Sequence, residues 1–184
     1  LFAEIAEIRS GGTPTTSKPE YWVPEVNWGT AKDITECPTY KIWSTERRIS
    51  KHGLKESAAQ ILPELTTVLI ARGATTGGCR LLGKPMAMNQ TCYGLVAKRD
   101  SDPRFLYYLV TNTYRQLRAL AHGSVFETVI GDTLRNLNVN VPPPDEQRAI
   151  ANILGALDDK IELNRRINET LEAIAQALFK SWFL

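Results

Sequence analysis

The sequence predicts an α+β fold: a mixed globular body over residues 1–144, then one long C-terminal helix over residues 145–184 with a coiled-coil seam. Three patterns predict it. Apolar residues recur in 4-3 alternation through the last forty residues, short β-branched or alternating runs punctuated by Gly and Pro fill the body, and one amphipathic helical stretch lies between the two.

Taken in order, residues 1–9 place Phe2, Ile5, Ala6 and Ile8 as a short helix or strand that ends at the breaker run Ser10-Gly11-Gly12-Thr13-Pro14. A polar loop follows through Lys18 and Pro19. Residues 25–30 (EVNWGT) alternate like a strand, and residues 66–71 (TTVLIA) are a β-branched run expected to be a buried one. Further strands fit residues 79–82, 86–88 and 91–98, with Gly83-Lys84-Pro85 as a hairpin-like connection. Asp102-Pro103 opens a helix to about residue 121, in which Phe105, Leu106, Leu109, Val110, Thr113, Leu117 and Leu120 form a core face. A helical turn over 130–134 and a last strand over 137–141 are expected before Pro142-Pro143-Pro144, after which Asp145 caps the long helix.

The seam of that helix reads Ile150, Leu154, Leu157, Ile161, Asn164, Asn168, Leu171, Ala175, Leu178, Trp182. Forty residues at about 1.5 Å each span roughly 60 Å, too long for a small body to cover, so a partner helix is implied. Leu163, Ile167, Ile174 and Phe179 widen the apolar face beyond a two-stranded seam, as more than one neighbour or a thick antiparallel contact requires. Asn164 and Asn168, if buried there, fix register at some cost in stability. The simpler alternative is a terminal helix packed on its own domain, and the length argues against it.

Composition excludes several classes. With 43% apolar residues in 184, one packed domain plus an extended element is expected. No apolar run approaches a membrane span and no secretory signal pattern opens the chain, so a soluble intracellular protein with no membrane partner is expected. Leu1 in place of Met is what a trimmed fragment would show. Cys37, Cys79 and Cys92 are odd in number and lack CxxC spacing, and His52 and His122 stand apart, which supports neither a disulfide framework nor a zinc site. Cutting at Pro144 separates a body with 17 Lys+Arg against 13 Asp+Glu from an arm with 5 against 7. A mildly basic body on an acidic arm is compatible with a nucleic-acid face on the body alone.

Two Gly-rich segments, GGTPTTSK (11–18) and GATTGGCR (73–80), fail as nucleotide loops because neither ends in Gly-Lys-Ser/Thr. Asn140-Val141-Pro142-Pro143-Pro144 lacks the spacing and the aromatic residue of an adenine-methyltransferase pocket, and no cluster has nucleophilic, metal or general-base spacing. Neither catalysis nor a cofactor is expected. What remains are loops rich in hydroxyl, amide and basic groups: Thr13, Thr15, Thr16, Ser17 and Lys18; Arg47, Arg48 and Lys51; Arg72, Thr75, Thr76 and Arg80; Asn89 and Gln90; Ser124. Such side chains read base edges and phosphates, although polar loops are often only solvated. Tyr21, Trp22 and Trp43 are candidates for stacking on bases, with core packing an equal alternative.

Four segments in order carry a family resemblance: IRSGGTP (8–14) with WGTAKDI (28–34); residues 72–78 with Asn89-Gln90; GSVFETVI (123–130); and residues 141–183. The chain resembles one half of a DNA sequence-specificity subunit of type I restriction-modification systems, one target-recognition domain (1–144) plus one helical region (145–184). The resemblance implies a non-catalytic, cytoplasmic, prokaryotic protein that reads half of a bipartite double-stranded DNA site. Its body loops, with Thr13, Thr15, Lys18, Arg47, Arg72, Thr75, Thr76, Arg80, Asn89, Gln90 and Ser124 as candidates, would contact the DNA. Its helix would pair antiparallel, with a second copy as a homodimer or with the other half of a full-length subunit, and would dock modification (methyltransferase) and restriction subunits. The rival is a protein-interaction scaffold whose coiled coil is the whole function, with no DNA binding.

Overall fold

The first ten residues form both expected elements in succession, helix α1 (Phe2–Ile5) and strand β1 (Ala6–Ser10), in a computed structural model that describes residues 1–73, 75–120 and 134–183, with side chains for all of these except 115–120. A 3-10 helix (Pro19–Trp22) leads to β2 (Val26–Gly29), α2 (Ala31–Glu36), β3 (Lys41–Ile42), β4 (Arg48–Ile49) and α3 (Lys51–Lys55). Then come β5 (Thr67–Ile70), β6 (Cys79–Leu82), β7 (Ala87–Met88), β8 (Cys92–Ala97), α4 (Pro103–Leu120) and the long helix, here α5 (Pro144–Phe183).

The strands form a five-stranded sheet in the order β1-β8-β5-β6-β3 and a three-stranded one in the order β4-β2-β7. In the larger sheet only β3 against β6 is parallel; in the smaller, β2 pairs parallel with β7 and antiparallel with β4. The run at β5 is buried at all four positions because both faces of the sheet are covered. Leu69, with Leu81 and Leu95, faces Phe2 of α1 and Leu106, Tyr107 and Val110 of α4. Val68 and Ile70, alternating to the other face, pack with Ile34 of α2, Leu82, Met86 and Met88. A third cluster joins Trp28, Ile49, Ala59 and Ala87 under the smaller sheet. Each fully buried large side chain contributes about 1.5–3 kcal/mol relative to exposure.

Helix starts follow local chemistry. Asp102 caps α4, its Oδ1 accepting the N–H groups of Arg104 and Phe105 at 2.9 Å each, with Pro103 at the first helical position. Thr30 and Asp33 form a capping box at α2, both Thr30 N–H and Oγ1 donating to Asp33 Oδ2 at 2.8 Å.

Three expectations are corrected. Gly83-Lys84-Pro85 is no hairpin: β6 belongs to the larger sheet and β7 to the smaller, so the segment carries the chain between sheets. Residues 137–141 form no strand; Phe2 N–H donates to the Leu137 carbonyl at 2.9 Å, while Leu137 and Val139 pack on the α1–α4 core. Asp145 is not the cap of α5, because Pro144 already begins the helix and Gln147 N–H reaches the Pro143 carbonyl at 3.0 Å. Proline fits there since its missing N–H would be unpaired in the first turn anyway. Of the expected turn over 130–134, only Leu134 lies within the described residues, where it is helical.

α5 extends its apolar seam away from the body. Only Gln147, Ala151 and Gly155 are buried, Leu154 is half-buried, and every residue from 166 to 183 is exposed. Ile161 is 65% and Trp182 73% exposed, and Ile150, Leu157, Leu171 and Leu178 are exposed with them. Among the described residues, no helix is long and apolar enough to cross a membrane.

Candidate nucleic-acid interface

Antiparallel pairing brings four strand ends to one edge of the larger sheet. Ser10 closes β1 opposite Tyr93, Ile70 closes β5 opposite Cys92 at the start of β8, and Cys79 opens β6 opposite Leu69. The loops 11–18, 89–91 and 71–78 therefore emerge side by side. Backbone bonds tie them: Gly11 N–H to the Cys92 carbonyl (3.1 Å), Gly12 N–H to Met88 (2.9 Å) and Ala71 N–H to Thr91 (2.8 Å). Gly11 is required by close approach, since a Cβ there would lie 1.9 Å from the Asn89 carbonyl oxygen. The smaller sheet joins the same end, because β2 and β7 run parallel and Asn89 N–H donates to the Gly29 carbonyl at 2.8 Å.

Most candidate residues fall on this edge. Thr13 donates its hydroxyl to Gln90 Oε1, so the 11–18 and 89–91 loops are joined side chain to side chain. Trp28 Nε1 donates to the Gly12 carbonyl at 2.8 Å and Trp22 Nε1 to the Thr15 carbonyl at 3.2 Å. The Arg47 guanidinium lies 3.9 Å from the Trp22 ring centre. Lys18 Nζ donates to the Tyr21 hydroxyl at 3.0 Å, a bond that raises the lysine pKa and keeps it charged. Thr15, Lys18, Arg47, Arg72, Thr75 and Gln90 are exposed. Asn89 is partly engaged, its Oδ1 accepting from Thr91 N–H (3.2 Å) and Oγ1 (2.7 Å).

Two candidates are held inside the fold. Arg80 donates from Nη2 (2.8 Å) and Nε (3.3 Å) to the Cys37 carbonyl and from Nη1 to the Cys79 carbonyl (2.8 Å). Thr76 is buried; its hydroxyl donates to Gly73 at 2.6 Å, and its carbonyl accepts from the Tyr114 hydroxyl at 2.6 Å. They shape the 71–78 loop and line an open concavity of about 520 Å³ with Thr75, Tyr107, Thr111 and Tyr114. Gly77, at φ +88°, packs directly under the Tyr114 ring, so this turn and α4 hold one another. Ser124 and residues 123–130 lie outside the described residues.

Sequence patterns did not reveal how the arm is fixed to the body. Gln147, buried, accepts the Asp102 N–H (3.0 Å) and donates to the Pro142 carbonyl (2.9 Å). Tyr108 donates to Asp158 Oδ2 at 2.7 Å, Tyr40 to Asp159 Oδ1, and Arg104 lies 3.9 Å from Asp159. Burial, reinforced by these carboxylates, pushes both tyrosine hydroxyls far above their ordinary range. The only sequence signal was the small-residue spacing of Ala151 and Gly155 beside the apolar seam. Trp22 and Trp28 with Arg47 were likewise separated too far in sequence to be joined by pattern.

A family model described as "Type I restriction modification DNA specificity domain" matches residues 2–173. The MjaIX specificity subunit of a type I restriction enzyme from Methanocaldococcus jannaschii is 36% identical over 183 residues, covering 98% of this chain and 42% of that protein. The HindI specificity subunit from Haemophilus influenzae is 44% identical over 86 residues, 45% of this chain and 19% of that protein. This chain thus spans less than half the length of these curated relatives. The crystal structure of an HsdS subunit from Thermoanaerobacter tengcongensis superposes with a TM-score of 0.63 at 16% identity, covering 97% of this chain and 42% of that one. A chain from a type I restriction-modification system gives 0.66 at 17% identity, covering 98% and 43%. Both likenesses concern the fold.

Proposed function

Because the chain belongs to the type I restriction-modification DNA specificity family, we propose that its body, residues 1–144, reads one half of a bipartite double-stranded DNA target without itself being catalytic. The observation that carries this is the convergence of three polar loops, 11–18, 71–78 and 89–91, on one edge of the sheet, with exposed Lys18 and Arg72 on them and exposed Arg47 beside them against Trp22. Lysine suits phosphates there, while arginine, hydroxyl and amide groups can also reach base edges. Thr13, Thr15, Thr75, Asn89 and Gln90 complete the proposed surface, Thr76 and Arg80 support it from beneath, and Ser124, outside the described residues, is proposed as a further DNA contact.

The arm, residues 145–184, is the spacer and assembly helix. Its unburied seam of Ile150, Leu157, Ile161, Leu171, Leu178 and Trp182, with Leu154, Asn164 and Asn168, favours antiparallel pairing with a second copy or with the other half of a longer subunit. The remaining faces dock the modification and restriction subunits. The test is binding of the full chain, alone and with co-expressed modification subunits, to duplex DNA between about 50 and 200 mM salt. Affinity falling steeply with salt, and sequence preference relaxed by Arg72→Ala, are the expected results. Salt-independent or absent DNA binding by both preparations would instead leave a protein scaffold.

A further inference from the structure

We infer that Arg47 is a base-reading arginine aimed at guanine, and that Trp22 is the residue that positions it; the inference rests on the DNA-reading role of the loop edge. Arg47 differs from Arg80 and the paired arginines of the arm in its free donors, and from exposed Arg72 in its aromatic contact. Arg80 is bonded to backbone carbonyls through three of its N–H groups, Arg165 and Arg166 are paired with Glu162, and Arg148 is paired with Asp145. The Arg47 guanidinium carbon instead sits over aromatic neighbours, 3.9 Å from the Trp22 ring centre and 5.4 Å from that of Trp28. Among the described residues no hydrogen bond or ion pair engages its N–H donors. The adjacent Glu46, the nearest carboxylate in sequence, is turned to Lys32 at 2.8 Å.

Each part of the assembly is held. The Arg47 carbonyl accepts from Thr45 Oγ1 (2.7 Å) and from Trp28 N–H (3.2 Å), which pins the backbone where it enters β4. The two indoles meet edge to face, centres 5.2 Å apart at 87°, and each donates its N–H to the 11–18 loop. Attraction to a ring face holds a guanidinium in place without using its N–H groups as hydrogen-bond donors, which stay free for other acceptors. A fixed planar fork matches two acceptors side by side, and the O6 and N7 atoms of guanine in the major groove are such a pair. A phosphate contact does not require this fixation, since a mobile lysine makes it as well. The ordering cost of an arginine side chain is met before DNA arrives, which favours discrimination at the base.

The experiment selects from a randomised double-stranded oligonucleotide pool with the full chain and its co-expressed modification subunits, then measures affinity for the selected site and each single-base variant. Arg47→Lys is the first variant and sits on an exposed side chain. It is expected to lose roughly tenfold to hundredfold discrimination at one G·C pair, with other positions and the salt slope unchanged. Trp22→Leu is expected to relax the same base pair and Trp22→Phe to restore it, with thermal melts confirming that each variant is folded. Uniform weakening over all sequences with a salt slope shallower by about one would make Arg47 a phosphate contact and overturn the inference. Unchanged discrimination in Arg47→Lys would overturn it too, while the wild-type selection still upheld DNA reading. If the wild type enriches no sequence, both fall together.

Discussion

At the scale of single residues, the environment that folding builds around a group decides what it does. Burial outweighs the Thr91 hydroxyl beside Cys92, 3.8 Å from its sulfur, and pushes its pKa up to about 11; Cys79 is buried too, while Cys37 is half-exposed with its thiol near the Thr39 and Lys41 carbonyls. The thiolate is the reactive form, so at neutral pH a thiol reagent should label Cys37 first. Cys79 and Cys92 should react only when denaturant opens the core, which mass spectrometry of timed alkylation would read directly; prompt labelling of Cys92 in the native protein would contradict this. The same contrast separates arginines. Arg47 and Arg80 look alike as basic loop residues, yet one presents its donors to solvent and the other is bound to the Cys37 and Cys79 carbonyls.

At the scale of elements, α5 is held to α4 and to the segment before β3 by polar contacts, while its apolar seam remains open. Tyr40 and Tyr108 donate to Asp159 and Asp158, and both hydroxyls are raised above their ordinary value by burial first and the carboxylates second; Tyr107, buried, is pushed up to about 12. A raised tyrosine pKa means the folded state favours the neutral phenol. Its contribution is complete below the unfolded value near 10 and is lost as pH rises through the folded value. A tyrosinate absorbance titration should therefore show Tyr40, Tyr107 and Tyr108 still un-ionised at about pH 11 in the native protein, and unfolding should become easier above about pH 10. The seam itself is tested by Leu157→Glu with Leu171→Glu. Both leucines are more than half exposed in the single chain, so the change should leave the body's thermal melt within about 0.5 kcal/mol while abolishing pairing in light scattering. An unchanged mass in a wild-type dimer would place the contact elsewhere.

At the scale of the whole molecule, the proposed function makes one body and one arm half of a two-part reader. If two copies pair through α5, the two-fold axis requires that the DNA target be an interrupted palindrome, because dimeric readers mirror their sites. Selection from random duplexes should then return two inverted half-sites at one constant spacing. Inserting or deleting a whole number of heptads in the exposed part of the arm should change that spacing while leaving the half-sites as they were. An asymmetric target would instead mean that the second half belongs to a different sequence.

By itself the sequence determined the elements whose signal is local and repeated: the long C-terminal helix, to within a residue at its start, the helix opened by Asp102-Pro103, the buried β5 run, β6 to the residue, and the 11–18 loop as a loop. The period of apolar residues and the chemistry of caps and breakers act over a few residues, so they are legible in order. Short pieces were not legible. The 3-10 helix, α2, β3, β4 and α3 have two to six residues each and are held by distant partners, and the strand expected over 137–141 lacked one. Which loops share an edge, that Gly83-Lys84-Pro85 passes between sheets, that Arg80 is internal while Arg47 is displayed on Trp22, and which stripe of α5 meets the body were decided only by tertiary structure. The physical reason is the same in each case: hydrogen-bond register and side-chain packing join residues tens of positions apart, and no local pattern encodes the partner.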